Sequence, residues 1–174
     1  LEIVAYCLMP NHVHLIAIPE EECSLRLAIG EAHRQYTIHI NSREQWQGHL
    51  WQGRFASFPM DEAHFLSACR YVELNPVRGG MVEYPEDWHW SSANAHLDGE
   101  DNALISVQSL LCHVEDWKAF LNEKTDEDEF EVFRMHLSTG RPLGEKGFIE
   151  KLEKNLKRRF QKKKPGPKRR ESDN

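Results

Sequence analysis

Two histidines one residue apart are the first feature of this 174-residue sequence that could do chemistry. His12 and His14 flank Val13 in a stretch, residues 12–18, that we predict to be a β-strand. Because residues i and i+2 of a strand project from the same face, both imidazoles are expected to point the same way. Two neutral imidazoles on one rigid strand would supply half of a divalent-metal site. The alternative is a pair of histidines on a solvated strand face that bind no metal.

A tyrosine and an asparagine one helical turn apart form the second candidate site. Tyr71 and Asn75 lie in a predicted helix over residues 61–75 and share one stripe of its surface. An amide oxygen is a suitable ligand for Mg²⁺ or Mn²⁺. A phenol is a weak nucleophile at its ordinary pKa of about 10, but a cation that neutralises a phosphate assists its attack. The alternative for Tyr71 is packing in the core, and three other tyrosines are rival nucleophiles: Tyr6, Tyr36 and Tyr84.

Aromatic and cationic side chains elsewhere suggest contacts with nucleic acid. One segment between predicted helices combines side chains suited to base stacking and phosphate contact, namely His49, Trp51, Gln52 and Arg54. Arg70 and Arg78 lie on either side of Tyr71 and could bind phosphate. The alternative for Trp51 and Phe55 is core packing. The alternative for the two arginines is ion pairing with the many acidic residues.

The net charge of −6 conceals a strong asymmetry along the chain. Residues 151–170 contain eleven Lys and Arg and one acidic residue, a net charge of +10, whereas residues 1–150 carry −14. Such a cationic segment suits a polyanion such as nucleic acid, although a solvated tail that only aids solubility is the alternative. Residues 161–174 are predicted to be disordered until they meet a partner. The candidate DNA contacts there are Lys162, Lys163, Lys164, Lys168, Arg169 and Arg170.

From its composition and patterning we expect neither a membrane-inserted nor a secreted protein. No stretch approaches the ~18 consecutive apolar residues of a membrane span, and the N-terminus has no basic-then-apolar leader. The four cysteines include no Cys-x-x-Cys pair, which argues against a zinc ribbon or a disulfide scaffold. Reduced thiols in a cytoplasmic protein are the simplest interpretation.

Local patterns predict the elements that must position these residues. Met9, Pro10 and Asn11 supply turn chemistry between two β-rich segments, so residues 1–18 are expected to form a hairpin. A short strand is expected near Phe55, and the loops of residues 79–97 are expected to be anchored by Trp88 and Trp90. Apolar spacing predicts helices over residues 24–43 with Ser24 as N-cap, 61–75 with Asp61 as N-cap, 105–122, 130–137 and 148–160.

Three sequence blocks, in order, carry a resemblance to a known family. They are Cys-Leu-Met-Pro-Asn-His-Val-His-Leu at residues 7–15, Gly-His-Leu-Trp-Gln-Gly-Arg-Phe at 48–55, and Arg-Tyr-Val-Glu-Leu-Asn-Pro-Val-Arg-Gly-Gly-Met-Val at 70–82. Together they resemble the REP-associated tyrosine transposases, which belong to the HUH superfamily of single-strand nucleases and transposases. The Gly-Arg-Pro-Leu-Gly segment and the basic end are similar to the C-terminal part of some members.

The resemblance implies an α+β fold, with a ferredoxin-like or RRM-like antiparallel sheet, helices on one face, and the paired histidines on a central strand. It divides the chain into a catalytic domain (1–97), a helical C-terminal extension (98–160) and a basic tail (161–174). Family members carry a strand and a helix before the histidine hairpin. This sequence begins inside a predicted strand, so we expect those two elements to be missing.

The resemblance also assigns roles. His12 and His14 would hold Mg²⁺ or Mn²⁺ with Asn75 as third ligand. Tyr71 would attack a phosphate of single-stranded DNA at a REP-type hairpin, form a 5′-phosphotyrosine link and release a 3′-hydroxyl. We therefore expect a bacterial, cytoplasmic, nucleoid-associated protein, monomeric or homodimeric, that binds hairpin DNA.

Two other functions stay open at this point. A hairpin-DNA binding protein that does not cut would use the same cationic and aromatic residues. A hydrolytic metalloenzyme would use His12 and His14 with carboxylate ligands from elsewhere, and would not need Tyr71.

Overall fold

A β-hairpin and a series of helices make up the chain in a computed structural model, which describes residues 1–123 and 127–160. Within these residues the sheet has two antiparallel strands, so the α+β class is confirmed. The strands and α-helices are β1 (Glu2–Leu8), β2 (Val13–Ile18), α1 (Ser24–Glu44), α2 (Phe65–Glu73), α3 (Asn75–Arg78), α4 (Ala93–Asp98), α5 (Gln108–Leu111), α6 (Trp117–Asn122), α7 (Glu127–Thr139) and α8 (Lys146–Leu156). Two short 3₁₀ helices, Glu62–His64 and Pro85–Asp87, precede α2 and α4. None of the described helices is long and apolar enough to cross a membrane.

The hairpin confirms the N-terminal prediction and fixes where His14 points. In its register, Cys7 lies opposite His14 and Leu8 lies opposite Val13. Because neighbouring residues face opposite sides, Cys7 and His14 share the face that packs on α2, whereas Leu8 and Val13 occupy the other face and are partly exposed. The outer edge of β1 is covered by the chain near Ser91, but β2 has no second strand partner among the described residues.

Helix α2 lies at the centre of the packing. Every residue from Ala68 to Glu73 is buried. One core cluster joins α2 to β1, to α7 and to the loop before α8, and consists of Cys7, Ala68, Tyr71, Val72, Phe130, Phe133 and Leu143. A second joins α2 to β1, α5 and α6, and consists of Val4, Ala5, Cys69, Leu110, Trp117 and Leu121. Residues from both predicted regions, 1–97 and 98–160, therefore hold the Tyr71 helix.

A fully buried carboxylate at the end of α2 ties it to two other helices. Glu73 has no exposed surface. Its Oε1 atom lies 2.5 Å from Ser92 Oγ and 2.5 Å from His96 Nδ1, and its Oε2 atom accepts a 2.8 Å hydrogen bond from Trp117 Nε1. A buried carboxylate is tolerated only when its oxygens are hydrogen-bonded. The network therefore fixes the orientation of α2 relative to α4 and α6.

The C-terminal Gly-Arg-Pro-Leu-Gly segment packs on the chain just before α2. Leu143 forms a parallel bridge with Met60, and its N–H donates to Pro59 O at 2.9 Å. Asp61 was predicted to cap the following helix, but its side chain makes no capping bond. It contacts His64 Nδ1 and accepts a 2.8 Å hydrogen bond from the N–H of Glu145.

Helix α1 stands apart from this core, and Ile40 is its one fully buried residue. The loop that follows folds back onto the helix, since the Trp51 ring stacks on His33 at 3.9 Å between centroids. The predicted cap at Ser24 is wrong, because the Ser24 hydroxyl accepts from the N–H of Glu21 and Cys23 occupies the N-cap position. The strand expected near Phe55 is also absent from this described loop.

Two further expectations are corrected. The single helix predicted for residues 105–122 is two short helices, α5 and α6. The second begins where Asp116 accepts a 2.8 Å hydrogen bond from the N–H of Ala119, a side-chain cap that starts a new helix. Trp88 anchors its loop as expected, donating to Leu8 O at 3.2 Å. Trp90 does not, since it is 64% exposed.

Candidate active site

The two histidines of the hairpin converge at their outer ring nitrogens. His12 lies just before β2 and is exposed, whereas His14 lies within the strand and is half-buried. Their Nε2 atoms are 3.1 Å apart. The Nδ1 atom of His12 lies 2.6 Å from Asn11 Oδ1, so its proton is donated there and the Nε2 lone pair is left for another partner.

This spacing fits a shared divalent cation. Two neighbouring ligands about 2.1 Å from an octahedral ion lie about 3.0 Å from each other, close to the 3.1 Å that separates the two Nε2 atoms. In residues 1–123 and 127–160 no third His, Cys, Asp or Glu completes a cluster. A third protein ligand would therefore be a residue of another type.

Asn75 begins α3, one turn beyond Tyr71. Its Nδ2 atom donates a 2.8 Å hydrogen bond to the carbonyl oxygen of Tyr71, which leaves Oδ1 as the atom suited to a cation. The helix predicted over residues 61–75 thus ends at Glu73, and this hydrogen bond between α3 and α2 holds Asn75 and Tyr71 in a fixed relation. The role of Asn75 as third ligand stays a prediction.

The Tyr71 ring reaches the histidine pair from α2. Its centroid lies 5.6 Å from that of His14 in an edge-on arrangement. On α7 it packs against Phe130 and Phe133, with centroids 5.3 and 5.4 Å away, and it is 6% exposed. The structure therefore brings a phenol and two imidazoles together, although they are distant in sequence. It also shows that packing, the alternative for Tyr71, is part of its environment.

The rival tyrosines lie elsewhere. Tyr6 is buried in a third cluster with Ala95, Ile105 and Val107. Tyr36 and Tyr84 are 50% and 53% exposed on α1 and on the loop after α3. Among the described ring contacts of His12 and His14, Tyr71 is the tyrosine involved.

One cationic neighbour of Tyr71 was missed from the sequence. Arg134 on α7 lies close to the Tyr71 side chain. The pKa of Arg134 is raised above its ordinary value, chiefly by the charge of Glu131 and its hydrogen bond, and further by the contact with Tyr71. No spacing rule links residues 71 and 134, so only the packing of α7 on α2 reveals this neighbour.

Burial keeps His14 in the form that a metal requires. Burial, together with the nearby His12, lowers the pKa of His14 to about 4. Its imidazole is therefore neutral throughout the physiological range, and a neutral imidazole is the ligand form.

The predicted DNA-contact residues of the loop after α1 comprise one side chain that packs on that helix and three that are exposed. Trp51 packs on α1, stacking on His33 and donating to His33 O at 3.2 Å, so its packing alternative is observed. His49, Gln52 and Arg54 are exposed. Their contact with DNA stays a prediction.

The two arginines beside Tyr71 are engaged within the protein. Arg70 is 7% exposed, lies 3.3 Å from carboxylate oxygens of Glu123 and Glu129, and packs over the Phe120 ring. The ion-pair alternative therefore describes Arg70. Arg78 lies over the Phe130 ring, with its guanidinium carbon 4.0 Å from the ring centroid. Six predicted contacts lie outside the described residues: Lys162, Lys163, Lys164, Lys168, Arg169 and Arg170.

Comparison with known proteins agrees with the motif blocks. Residues 1–75 match the family described as "Transposase IS200 like". A provisionally named REP-associated tyrosine transposase of Haemophilus influenzae is 28% identical over 110 residues, which are 57% of this chain and 62% of that protein. A REP-associated tyrosine transposase of Escherichia coli K12 is 28% identical over 92 residues, 52% of this chain and 53% of that protein. The matched region thus spans little more than half of each relative, and no solved structure matches the chain significantly.

Proposed function

Because this chain is related to the REP-associated tyrosine transposases, we propose that it cleaves single-stranded DNA and transfers the cut strand, with Tyr71 as nucleophile. One observation carries the proposal. The Tyr71 ring contacts His14, whose Nε2 atom lies 3.1 Å from that of His12, so a phenol and two metal-ligand groups converge.

The residues that would hold Mg²⁺ or Mn²⁺ are His12, His14 and Asn75. A bound cation would supply positive charge that polarises the phosphate. Asn11 orients the His12 ring through its Nδ1 atom, and burial keeps His14 neutral. Helix α2, held by the Glu73 network, gives Tyr71 a rigid mount.

The proposed step exchanges one phosphate ester for another. The Tyr71 oxygen forms a bond to phosphorus as the bond from phosphorus to the 3′ oxygen breaks. The phenol loses its proton, the departing 3′ oxygen gains one, and the products are a 5′-phosphotyrosine and a 3′-hydroxyl. Since the number of ester bonds does not change, attack by a 3′-hydroxyl on the phosphotyrosine rejoins DNA without ATP.

Several finer features belong to the same proposal. The names of both relatives refer to REP elements, and on that basis we expect hairpin DNA with a single-stranded flank as substrate. The exposed side chains of the loop after α1 and the basic tail would contact that DNA. We expect the β-hairpin of β1 and β2 to form part of a ferredoxin-like sheet. We also expect a monomer or homodimer associated with the bacterial nucleoid.

A hairpin-DNA binding protein that does not cut is the second candidate, and one observation favours it. The Tyr71 ring is 6% exposed and packed beneath Phe130 and Phe133, which limits its access to DNA. Binding alone would need only the cationic and aromatic surface.

The test is covalent capture of DNA. A REP-type hairpin with a single-stranded flank, labelled at its 3′ end, is incubated with the full chain and Mn²⁺ and separated on a denaturing gel. The label should move with the protein in the wild type and in Tyr84→Phe, the exposed control, but not in Tyr71→Phe. Tight binding without an adduct would favour the binding protein, and metal-dependent cleavage that survives Tyr71→Phe would favour a hydrolase.

A further inference from the structure

Helix α7 does more than cover Tyr71, because it places a guanidinium beside the proposed nucleophile. We propose that Arg134 binds the scissile phosphate and is a further catalytic residue of this site. The proposal rests on the proposed function, and it adds a group from the region beyond residue 97, where the motif blocks supply none.

Packing fixes the position of α7 over the site. Phe130 and Phe133 are 1% and 2% exposed, and both rings contact Tyr71. Arg134 follows Phe133 directly, so the position of its backbone is fixed by these two buried rings. Arg134 is thereby held at the rim of the cluster that contains Tyr71.

The side chain of Arg134 is partly in contact with the protein and partly exposed to solvent. It pairs with Glu131 one turn earlier on the same helix and lies close to the Tyr71 side chain. Even so, 52% of the side chain is exposed. A guanidinium carries several N–H donors in one plane, so donors remain for a ligand that arrives from solvent.

The position of Arg134 on α7 brings a phosphate bound at Tyr71 within reach of its guanidinium. For attack, phosphorus must come within about 3–3.5 Å of the Tyr71 oxygen. Arg134 lies close to the Tyr71 side chain, on the helix whose Phe130 and Phe133 rings pack against it, so the non-bridging oxygens of that phosphate come within its reach. Arginine binds such oxygens in pairs. Arg70 is buried between Glu123 and Glu129, whereas Arg134, although paired with Glu131, keeps half of its side chain exposed.

The chemical benefit is charge stabilisation. Charge on the non-bridging oxygens is redistributed as the bond to the 3′ oxygen breaks, and a fixed guanidinium stabilises it without reorganisation.

The first experiment measures the single-turnover rate of adduct formation with saturating hairpin DNA and Mn²⁺. Arg134→Gln should lower this rate by about a hundredfold, the usual cost of losing one preorganised donor. Arg134→Lys, which keeps the charge but not the fork, should recover part of it. Glu131→Gln is the matched control: it breaks the same ion pair on α7 but should keep the wild-type rate.

The second experiment removes charge from the substrate instead. A DNA with a neutral methylphosphonate at the scissile position should react far more slowly than normal DNA with the wild type. With Arg134→Gln the same replacement should cost much less, because the partner of that charge is already gone. A residue that only supports α7 would give the same methylphosphonate penalty as the wild type.

The outcomes separate the two proposals. If the wild type forms no Tyr71-dependent adduct, the proposed function fails first and Arg134 has no reaction to assist. If the wild type forms the adduct and Arg134→Gln forms it as fast, the role of Arg134 is overturned. It is overturned equally if Glu131→Gln is as slow as Arg134→Gln, or if the methylphosphonate penalty is unchanged in the variant.

Discussion

His14 takes part in both the packing and the proposed chemistry. It is half-buried on the core-facing side of β2 and contacts the Tyr71 ring, which is itself a core residue. That position keeps the imidazole neutral and presents Nε2 to His12. A group that is held neutral in this way must also affect stability when the pH falls.

The free energy of unfolding should therefore decrease in mild acid. The pKa of His14 is about 4 in the folded chain, against about 6.5 when unfolded. Below pH 6.5 the unfolded chain takes up a proton that the folded chain does not, so stability falls as the pH falls from about 6.5 towards 4. Between pH 7 and pH 5 the loss from this group is at most about 2 kcal/mol. Urea unfolding in EDTA at both pH values measures it.

His14→Gln isolates that contribution. The variant should lose less stability than the wild type between pH 7 and pH 5, and the same substitution at exposed His89 should leave the wild-type difference intact. An identical pH dependence in wild type and His14→Gln would contradict the assignment.

At the scale of elements, α2 is held from three directions. The hairpin covers one side, α7 covers another, and the Glu73 network attaches its end to α4 and α6. The segment around Leu143 packs on the residues just before α2, where the N–H of Leu143 donates to Pro59 O. Small changes in that segment should therefore alter the free energy of unfolding.

Gly144→Ala should destabilise the fold. A Cβ at Gly144 would lie 2.6 Å from Asp61 Oδ2 and 2.6 Å from Phe148 Cδ1. Relieving both overlaps requires Phe148 of α8 to move and also Asp61, which accepts a bond from Glu145. We expect a loss of about 1–3 kcal/mol, the usual cost of overpacking, measured by thermal or urea unfolding.

Gly147→Ala is its control, three residues further on. A Cβ there meets nothing within 4 Å, and the residue lies in α8. Alanine should leave stability unchanged or raise it by up to about 1 kcal/mol. Equal effects of the two substitutions would show that the contact with Asp61 does not matter.

Elements set by short-range patterns could be predicted from the sequence. The hairpin follows from a turn between two β-rich runs, and the helix of Tyr71 follows from apolar residues at helical spacing. The break between α5 and α6 could not be predicted, because the apolar residues keep their helical spacing across it. The break is marked by Asp116, whose side chain caps the start of α6. The isolation of α1 from the core also has no local signal.

The candidate site could be predicted only in part. The His12 and His14 pair and the Tyr71–Asn75 turn are local spacings, so the sequence suffices for each. Their meeting depends on the hairpin packing on α2, which the family resemblance suggested and spacing alone did not. Arg134 comes from a distant helix, and the burial of Arg70 by Glu123 and Glu129 depends equally on tertiary packing.

At the scale of the whole molecule, charge is segregated along the chain. Residues 1–150 carry −14, with 25 acidic residues against eleven Lys and Arg, whereas residues 151–170 carry +10. An acidic body repels DNA at long range, so attraction must come from local groups. The basic tail is the strongest such group, although its structure lies outside the described residues.

Replacing the tail cations should change the salt dependence of DNA binding. When Lys162, Lys163, Lys164, Lys168, Arg169 and Arg170 are all changed to Gln, binding to hairpin DNA should weaken, most of all at low salt. Each lost phosphate contact lowers the slope of log K against log salt by about 0.9 on duplex DNA, so the slope should fall by up to about 5. Fluorescence anisotropy at several salt concentrations measures it.

Lys118→Gln with Lys146→Gln is the control, since both side chains are exposed lysines of the body that pair with glutamates. The slope should stay close to that of the wild type. A tail variant with an unchanged slope would assign the tail to solubility.

Tyr71 is part of the core as well as the proposed nucleophile, since its ring is held between His14 and two phenylalanines of α7. A DNA end joined to its oxygen would be tethered by the Tyr71 side chain, which has almost no freedom to rotate. Such a tether keeps phosphorus close to the departing strand, as a short stiff linker raises effective concentration. Religation of the original ends would then be faster than attack by a new strand until the departing end diffuses away. Release of the departing strand would therefore be the rate-limiting step of transfer.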